Sequence, residues 1–152
     1  MRISRHQMFM EMARVVSRRS TCPRLNVGAI IVTPSLEIFM GYNGAEAGEP
    51  HCTDVGCLME KGSCKRTTHA EINAIRRLPD KPMFGLTLYV TNSPCPLCTQ
   101  AIIDCLKIDR VFFENEYRSV SHLTDLHDHG ITVLRLVPNG CIMNLAGERV
   151  DT

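Results

Sequence analysis

The residues able to do chemistry fall in two short runs, His69-Ala70-Glu71 and Pro94-Cys95-Pro96-Leu97-Cys98. Cys95 and Cys98 are three positions apart, so at a helix start both sulfurs lie on one side, one turn from each other. Thiolates so placed chelate one tetrahedral zinc ion, and His69 would supply a third ligand. Three protein ligands leave the fourth position to water, which separates a catalytic zinc from a structural one. Two thiolates and a neutral imidazole cancel the ion's charge, so water there is acidified less than on a site made of histidines alone. A base is therefore needed beside it. Glu71 stands two residues from His69 and can reach that water without ligating. It would take the proton and pass it to a departing group.

Each run also has a plainer reading. Thr68-x-x-Glu71 is a capping box, so Glu71 would cap a helix. Cys-x-x-Cys also serves as a redox pair or as half of a structural zinc knuckle.

Taken together, the runs resemble the H-x-E…P-C-x-x-C signature of the zinc-dependent cytidine/deoxycytidylate deaminase superfamily. Supporting segments at 27–32, Gly41-Tyr42-Asn43-Gly44, 69–75 and Leu88-Tyr89-Val90-Thr91 come in that family's order. Within it the resemblance is greatest to deoxycytidylate (dCMP) deaminases and covers roughly residues 5–135. It implies a zinc-dependent hydrolase that converts dCMP to dUMP and ammonia, supplying dUMP for thymidylate synthesis. It implies Glu71 as proton shuttle, with Asn43 on the deoxyribose and Arg24 and Asn26 at the 5′-phosphate. Tyr117 would lie against the base, and donors at Ala70, Ser93 and Cys95 would fix its position. The plainer readings are an Asn-Gly turn, a solvated loop arginine and a surface tyrosine. Family members are often hexamers, and many respond to dCTP and dTTP. Here the helix after His69 stops at Pro79-Asp80-Lys81-Pro82, shorter than in many regulated members. That departure counts against inherited effector contacts. Competing functions are deamination of another cytosine or 5-modified cytosine nucleotide or nucleoside, an inactive zinc-stabilised binding module, and a Cys-x-x-Cys redox protein.

Composition narrows the partners. The chain has 152 residues, 44 % of them hydrophobic, and a net charge of +1. No basic field is present to hold a nucleic-acid backbone, so a small nucleotide suits better than a polymer. No run approaches the ~18 apolar residues of a membrane-spanning helix, and Met1-Arg-Ile-Ser-Arg-His is followed by no apolar leader. The expectation is a cytoplasmic protein without membrane partners. Eight cysteines in such a chain point to metal more than to disulfides. Cys22, Cys52, Cys57 and Cys64 would make a second, closed zinc site, with His51 able to replace one sulfur. The family resemblance supports this, since several members carry a structural metal at positions matching Cys22 and Cys52. The alternative is four free thiols.

The positioning elements follow from periodicity. An amphipathic helix spans 3–18, and strands at 27–32 and 36–42 form a hairpin. A long loop runs over 43–67, and a helix at 68–78 carries His69 and Glu71. A strand at 86–91 leads to a second helix, from Pro96 to about 107. A strand at 111–113, a helix at 118–129 and a strand at 131–137 follow. His122, His127 and His129 read as solvated residues of that last helix. The tail, 138–152, carries no chemical signal. The order α β β α β α β α β predicts an α/β fold over 1–152 as one domain. It is a three-layer α/β/α, cytidine-deaminase-like arrangement around a mixed five-stranded sheet.

Overall fold

Alternation along the strands divides the core in two. In strand β1 (Gly28–Val32), Ile30 and Val32 point to one side of the sheet and Ala29 and Ile31 to the other. Strands β5 (Leu86–Asn92) and β6 (Ile108–Asn115) repeat the pattern, with Tyr89 and Phe112 on the first side and Leu88, Val90, Val111 and Phe113 on the second. Helix α1 (Arg5–Ser17) covers the first side through Phe9, Met10 and Ala13. The second side is covered by α3 (Ala70–Arg76), α4 (Pro96–Cys105) and α5 (Thr124–Asp128). This computed structural model describes residues 1–151, and Thr152, the end of the expected 1–152 domain, lies outside the described residues.

The sheet is mixed, in the order β2-β1-β5-β6-β7-β8, where β2 is Ile38–Tyr42, β7 Thr132–Leu136 and β8 Ile142–Met143. β5, β6 and β7 run parallel, and the outer pairings are antiparallel. It thus has six strands rather than the five expected. The extra strand is β8, whose two residues pair with Arg135 and Leu136. A two-residue strand is too short to show alternation in the sequence. The expected helix over 118–129 is also shorter. A 3₁₀ turn (Ser121–Leu123) precedes α5, after Arg118 takes a left-handed backbone conformation that breaks the helical path.

The segment expected as one long loop is pinched at its base. Gly44 and Thr68 exchange two backbone hydrogen bonds of 2.9 and 3.1 Å. Between them lie α2 (Cys52–Val55) and a small hairpin of β3 (Met59–Glu60) and β4 (Ser63–Cys64). No helix among the described residues is long and apolar enough to cross a membrane.

Candidate active site

Helix α3 lies almost on top of β2, because Gly41 presents no side chain to it. A Cβ there would overlap the Ala70 carbonyl oxygen and meet the Ala74 nitrogen at 2.5 Å. Asn73 adds a 2.9 Å bond from its Nδ2 to the Tyr42 carbonyl. Helix α4 starts directly after β5, with Pro96 in its first turn. α3 on β2 and α4 after β5 thus flank β1, and their N-termini converge.

His69 is the N-cap of α3 and Cys95 the N-cap of α4, yet neither side chain makes a capping bond. These positions normally favour Ser, Thr, Asp or Asn, whose oxygens accept from the exposed N–H groups. Here the side chains point at each other. His69 Nδ1 lies 3.2 Å from Cys98 Sγ and 3.4 Å from Cys95 Sγ. The three donor atoms are all within 4.8 Å of one another. Ligands on a tetrahedral zinc at ordinary bond lengths are about 3.5–3.8 Å apart, so the set fits that ion with little movement. Glu71 is 4 % exposed, and its Oε2 lies 3.4 Å from Cys98 Sγ. The capping-box reading of Glu71 fails, because Thr68 gives its hydroxyl to Glu46 and the helix starts at Ala70.

Proximity sets the protonation of the group. A hydrogen bond from the Cys98 thiol, with His69 beside it, brings Cys95 down to about 4. The thiolate so formed, together with burial, holds the Cys98 proton on and pushes that thiol far up. The Cys95 sulfur raises His69, and burial raises the Glu71 carboxyl. A dication entering such a cluster displaces the remaining thiol proton.

The cluster forms one wall of a cavity of about 850 Å³. Of the residues expected around a substrate, Arg24, Asn43, Ala70, Ser93 and Tyr117 line this cavity, whereas exposed Asn26 does not. Asn43 is buried and its amide is engaged by backbone: Oδ1 accepts from the Val27 N–H at 2.8 Å and Nδ2 donates to the Leu25 carbonyl at 2.7 Å. Lys65 and Arg118 also line the cavity, and sequence reasoning singled out neither. Both come from irregular segments whose place only tertiary structure sets. Arg118 lies over the Tyr117 ring, 5.1 Å from its centre, and donates to the Gly62 carbonyl.

A second sulfur cluster stands in the pinched loop. Cys52, Cys57 and Cys64 bring their sulfurs within 4.8 Å of one another, with Cys52 and Cys64 at 3.6 Å. Burial raises Cys64, but hydrogen bonds from Thr67, the Arg66 and Leu58 backbone and Cys52 outweigh it and bring the thiol down to about 6. The expected fourth sulfur departs from this set: Cys22 is buried and lines the cavity but is not among the three clustered sulfurs. Separation by a whole strand pair leaves its placement to the fold rather than to local spacing.

His122 differs from its reading as a solvated histidine. It is half-buried, and its Nε2 lies 2.7 Å from the Pro94 carbonyl oxygen. His127 and His129 are exposed, as expected.

Comparison with known proteins agrees with this geometry. Residues 3–115 match the family model for the cytidine and deoxycytidylate deaminase zinc-binding region. The chain therefore belongs to this family of zinc-binding deaminases. ComE operon protein 2 of Bacillus subtilis is 41 % identical over 147 residues, covering 95 % of this chain and 77 % of that protein. The deoxycytidylate deaminase of Mycobacterium phage D29 is 33 % identical over 119 residues, covering 71 % of this chain and 92 % of that protein. Among solved structures, the dCMP deaminase of cyanophage S-TIM5 in complex with dCMP and dUMP superposes with a TM-score of 0.75. It shares 31 % identity and covers 89 % of this chain and 98 % of its own.

Proposed function

We propose that this chain deaminates dCMP hydrolytically to dUMP and ammonia. The observation that carries the reading is the buried Glu71 carboxylate set against the His69–Cys95–Cys98 triangle in the wall of a nucleotide-sized cavity. The 31 % identical phage enzyme solved with dCMP and dUMP supports the choice of substrate. Zinc held by His69, Cys95 and Cys98 would supply the Lewis acid that lets a water molecule lose a proton near neutral pH.

Glu71 takes that proton as the water oxygen bonds to C4 of the ring, and hands it to ring N3. The same carboxyl then moves the second water proton to the exocyclic nitrogen as the C4–N bond breaks. Burial favours the protonated carboxyl, which suits a group that must hold a proton between two transfers. Backbone donors at Ala70 and Cys95 and the Ser93 hydroxyl orient the base, and Tyr117 offers an aromatic face to it. Arg24 answers the 5′-phosphate with its fork of donors. Asn43 meets the sugar with the donor and acceptor capacity its backbone bonds leave over.

We assign a second, structural zinc to Cys52, Cys57 and Cys64, with Cys22 or His51 completing the tetrahedron. Eight free thiols suit a reducing cytoplasm, and we take the chain to work as one domain. The family resemblance extends the proposal to assembly of identical chains and to control by dCTP or dTTP. The short helix α3, which ends at Arg76, counts against that control.

A substrate panel tests the reading. Zinc-loaded protein is incubated with dCMP, deoxycytidine, CMP, 5-methyl-dCMP and 5-hydroxymethyl-dCMP, and product is followed by absorbance. dCMP should give the highest kcat/KM. No turnover of any member in protein with a full zinc complement would leave a zinc-stabilised binding module instead.

A further inference from the structure

The end of β5 and the cysteine turn after it lie on a bed provided by Asn115, the last residue of β6, and the chain that follows it. Four hydrogen bonds join them in sequence. Asn115 Nδ2 donates to the Thr91 carbonyl at 3.0 Å. The Ser93 N–H donates to the Asn115 carbonyl, and the Tyr117 N–H donates to Ser93 Oγ, both at 2.8 Å. The last is His122 to the Pro94 carbonyl, at 2.7 Å. It is the shortest of the four and the nearest to a metal ligand.

The chemistry of this bond is fixed by its acceptor. A carbonyl oxygen only accepts, so Nε2 carries the proton, which sets the ring's donor side. The carbonyl belongs to the peptide unit whose other half is the Cys95 N–H. That N–H is among the orphan donors of the α4 terminus, which Pro96 reduces by one. Hydrogen bonds polarise one another through a shared peptide, so a donor on the carbonyl strengthens the N–H beyond it. His122 itself is held: Leu123 beside it is fully buried, and Thr124 Oγ1 ties back to the Ser121 carbonyl at 2.8 Å.

We propose that His122 is a positioning residue for the metal centre, holding the Pro94–Cys95 peptide so that the Cys95 sulfur and N–H meet ion and substrate in fixed geometry. The histidine acts through the peptide and touches neither ion nor substrate. Its activity arm rests on the deaminase reading, but its metal arm does not.

The test compares His122→Met with His122→Gln. Both are unbranched and of similar length, and only Gln carries a donor at the place of Nε2. Three readouts are taken on metal-loaded protein. These are kcat and KM for dCMP, the rate at which a chromogenic chelator removes zinc in the phase that Cys95→Ser abolishes, and the thiolate-to-metal absorption bands of the cobalt-substituted form. His122→Met should lower kcat about tenfold with KM little changed, release that zinc about tenfold faster and shift the cobalt bands. His122→Gln should return all three towards wild type. Equal behaviour of Met and Gln, or cobalt bands and zinc release unchanged in Met, would overturn the proposal. Should the wild-type protein deaminate nothing, the functional reading falls, while zinc release and the cobalt bands still decide the role of His122.

Discussion

The carboxylate of Glu71 lies 3.4 Å from the sulfur of Cys98, and both residues are closed to solvent. A buried carboxylate is unfavourable on its own, since burial penalises its charged form. Nothing in the packing of α3 requires a carboxylate there, because the helix is not capped by it.

Glu71→Gln should therefore keep fold and zinc while losing deamination. The amide preserves shape and hydrogen bonding but cannot carry a proton, and loss of a positioned acid–base group typically costs about 10²–10⁴-fold in rate. Zinc per chain by atomic absorption and kcat for dCMP check both halves. Near-normal turnover would remove Glu71 from the mechanism.

Much of this site was legible because its ligands sit at helix starts, where spacing alone dictates which side chains share a face. His69, Glu71, Cys95 and Cys98 needed no knowledge of the rest of the chain. The presence of β1 and β5 was equally legible, since both are mostly apolar runs, whereas β6 carries Asp109, Arg110 and Glu114 and showed only its Val111–Phe113 stretch. What stayed hidden depends on contacts between distant segments. His122 is one of three histidines in a polar stretch, and its contact with Pro94 joins segments that are distant in the chain. Cys22 shared a plausible ligand pattern with the loop cysteines, but nothing local places it beside them. β8 is held by register with β7 rather than by its own pattern.

Gly41 shows how a backbone contact behind the site can control it. A methyl group there would press against the Ala70 carbonyl and the Ala74 nitrogen, both main-chain atoms that cannot rotate away. Gly41→Ala should push α3 off β2 and move His69 and Glu71 with it. Overpacking of this kind costs about 1–3 kcal/mol, readable as a lower urea midpoint. A larger fractional loss of kcat than of folded protein would show that the helix shift, and not unfolding, disables the site.

The loop cluster predicts a second measurable metal. Cys64→Ser removes one of three gathered sulfurs, and a hydroxyl is a poor zinc ligand. Zinc content should fall from two per chain to one, with the ion on Cys95 retained. The β3–β4 hairpin lines the cavity through Gly62, Ser63 and Cys64, so KM for dCMP should rise more than kcat falls. A content of one zinc in the wild-type protein would refute the second site.

On the opposite face of the sheet, His6 gives a pH dependence separate from the metal. Its Nδ1 lies 2.8 Å from Tyr89 Oη, and its ring stacks on Phe112 at 4.5 Å. Burial raises the Tyr89 phenol to about 12, so the hydroxyl keeps its proton and donates to Nδ1. Burial, with Arg110 and Arg5 nearby, lowers His6 below its ordinary value of 6.5. The folded state thus binds this proton less readily than the unfolded chain. The contribution is fully present above about pH 6.5 and is lost as pH falls through the lower folded value. His6→Phe keeps the stack on Phe112 but has nothing to protonate. Urea midpoints of the two proteins should differ by a constant amount at pH 7 and above. Below that the wild type should lose ground steadily against the variant. A difference that stays constant down to pH 5 would show that His6 does not titrate differently in the folded protein.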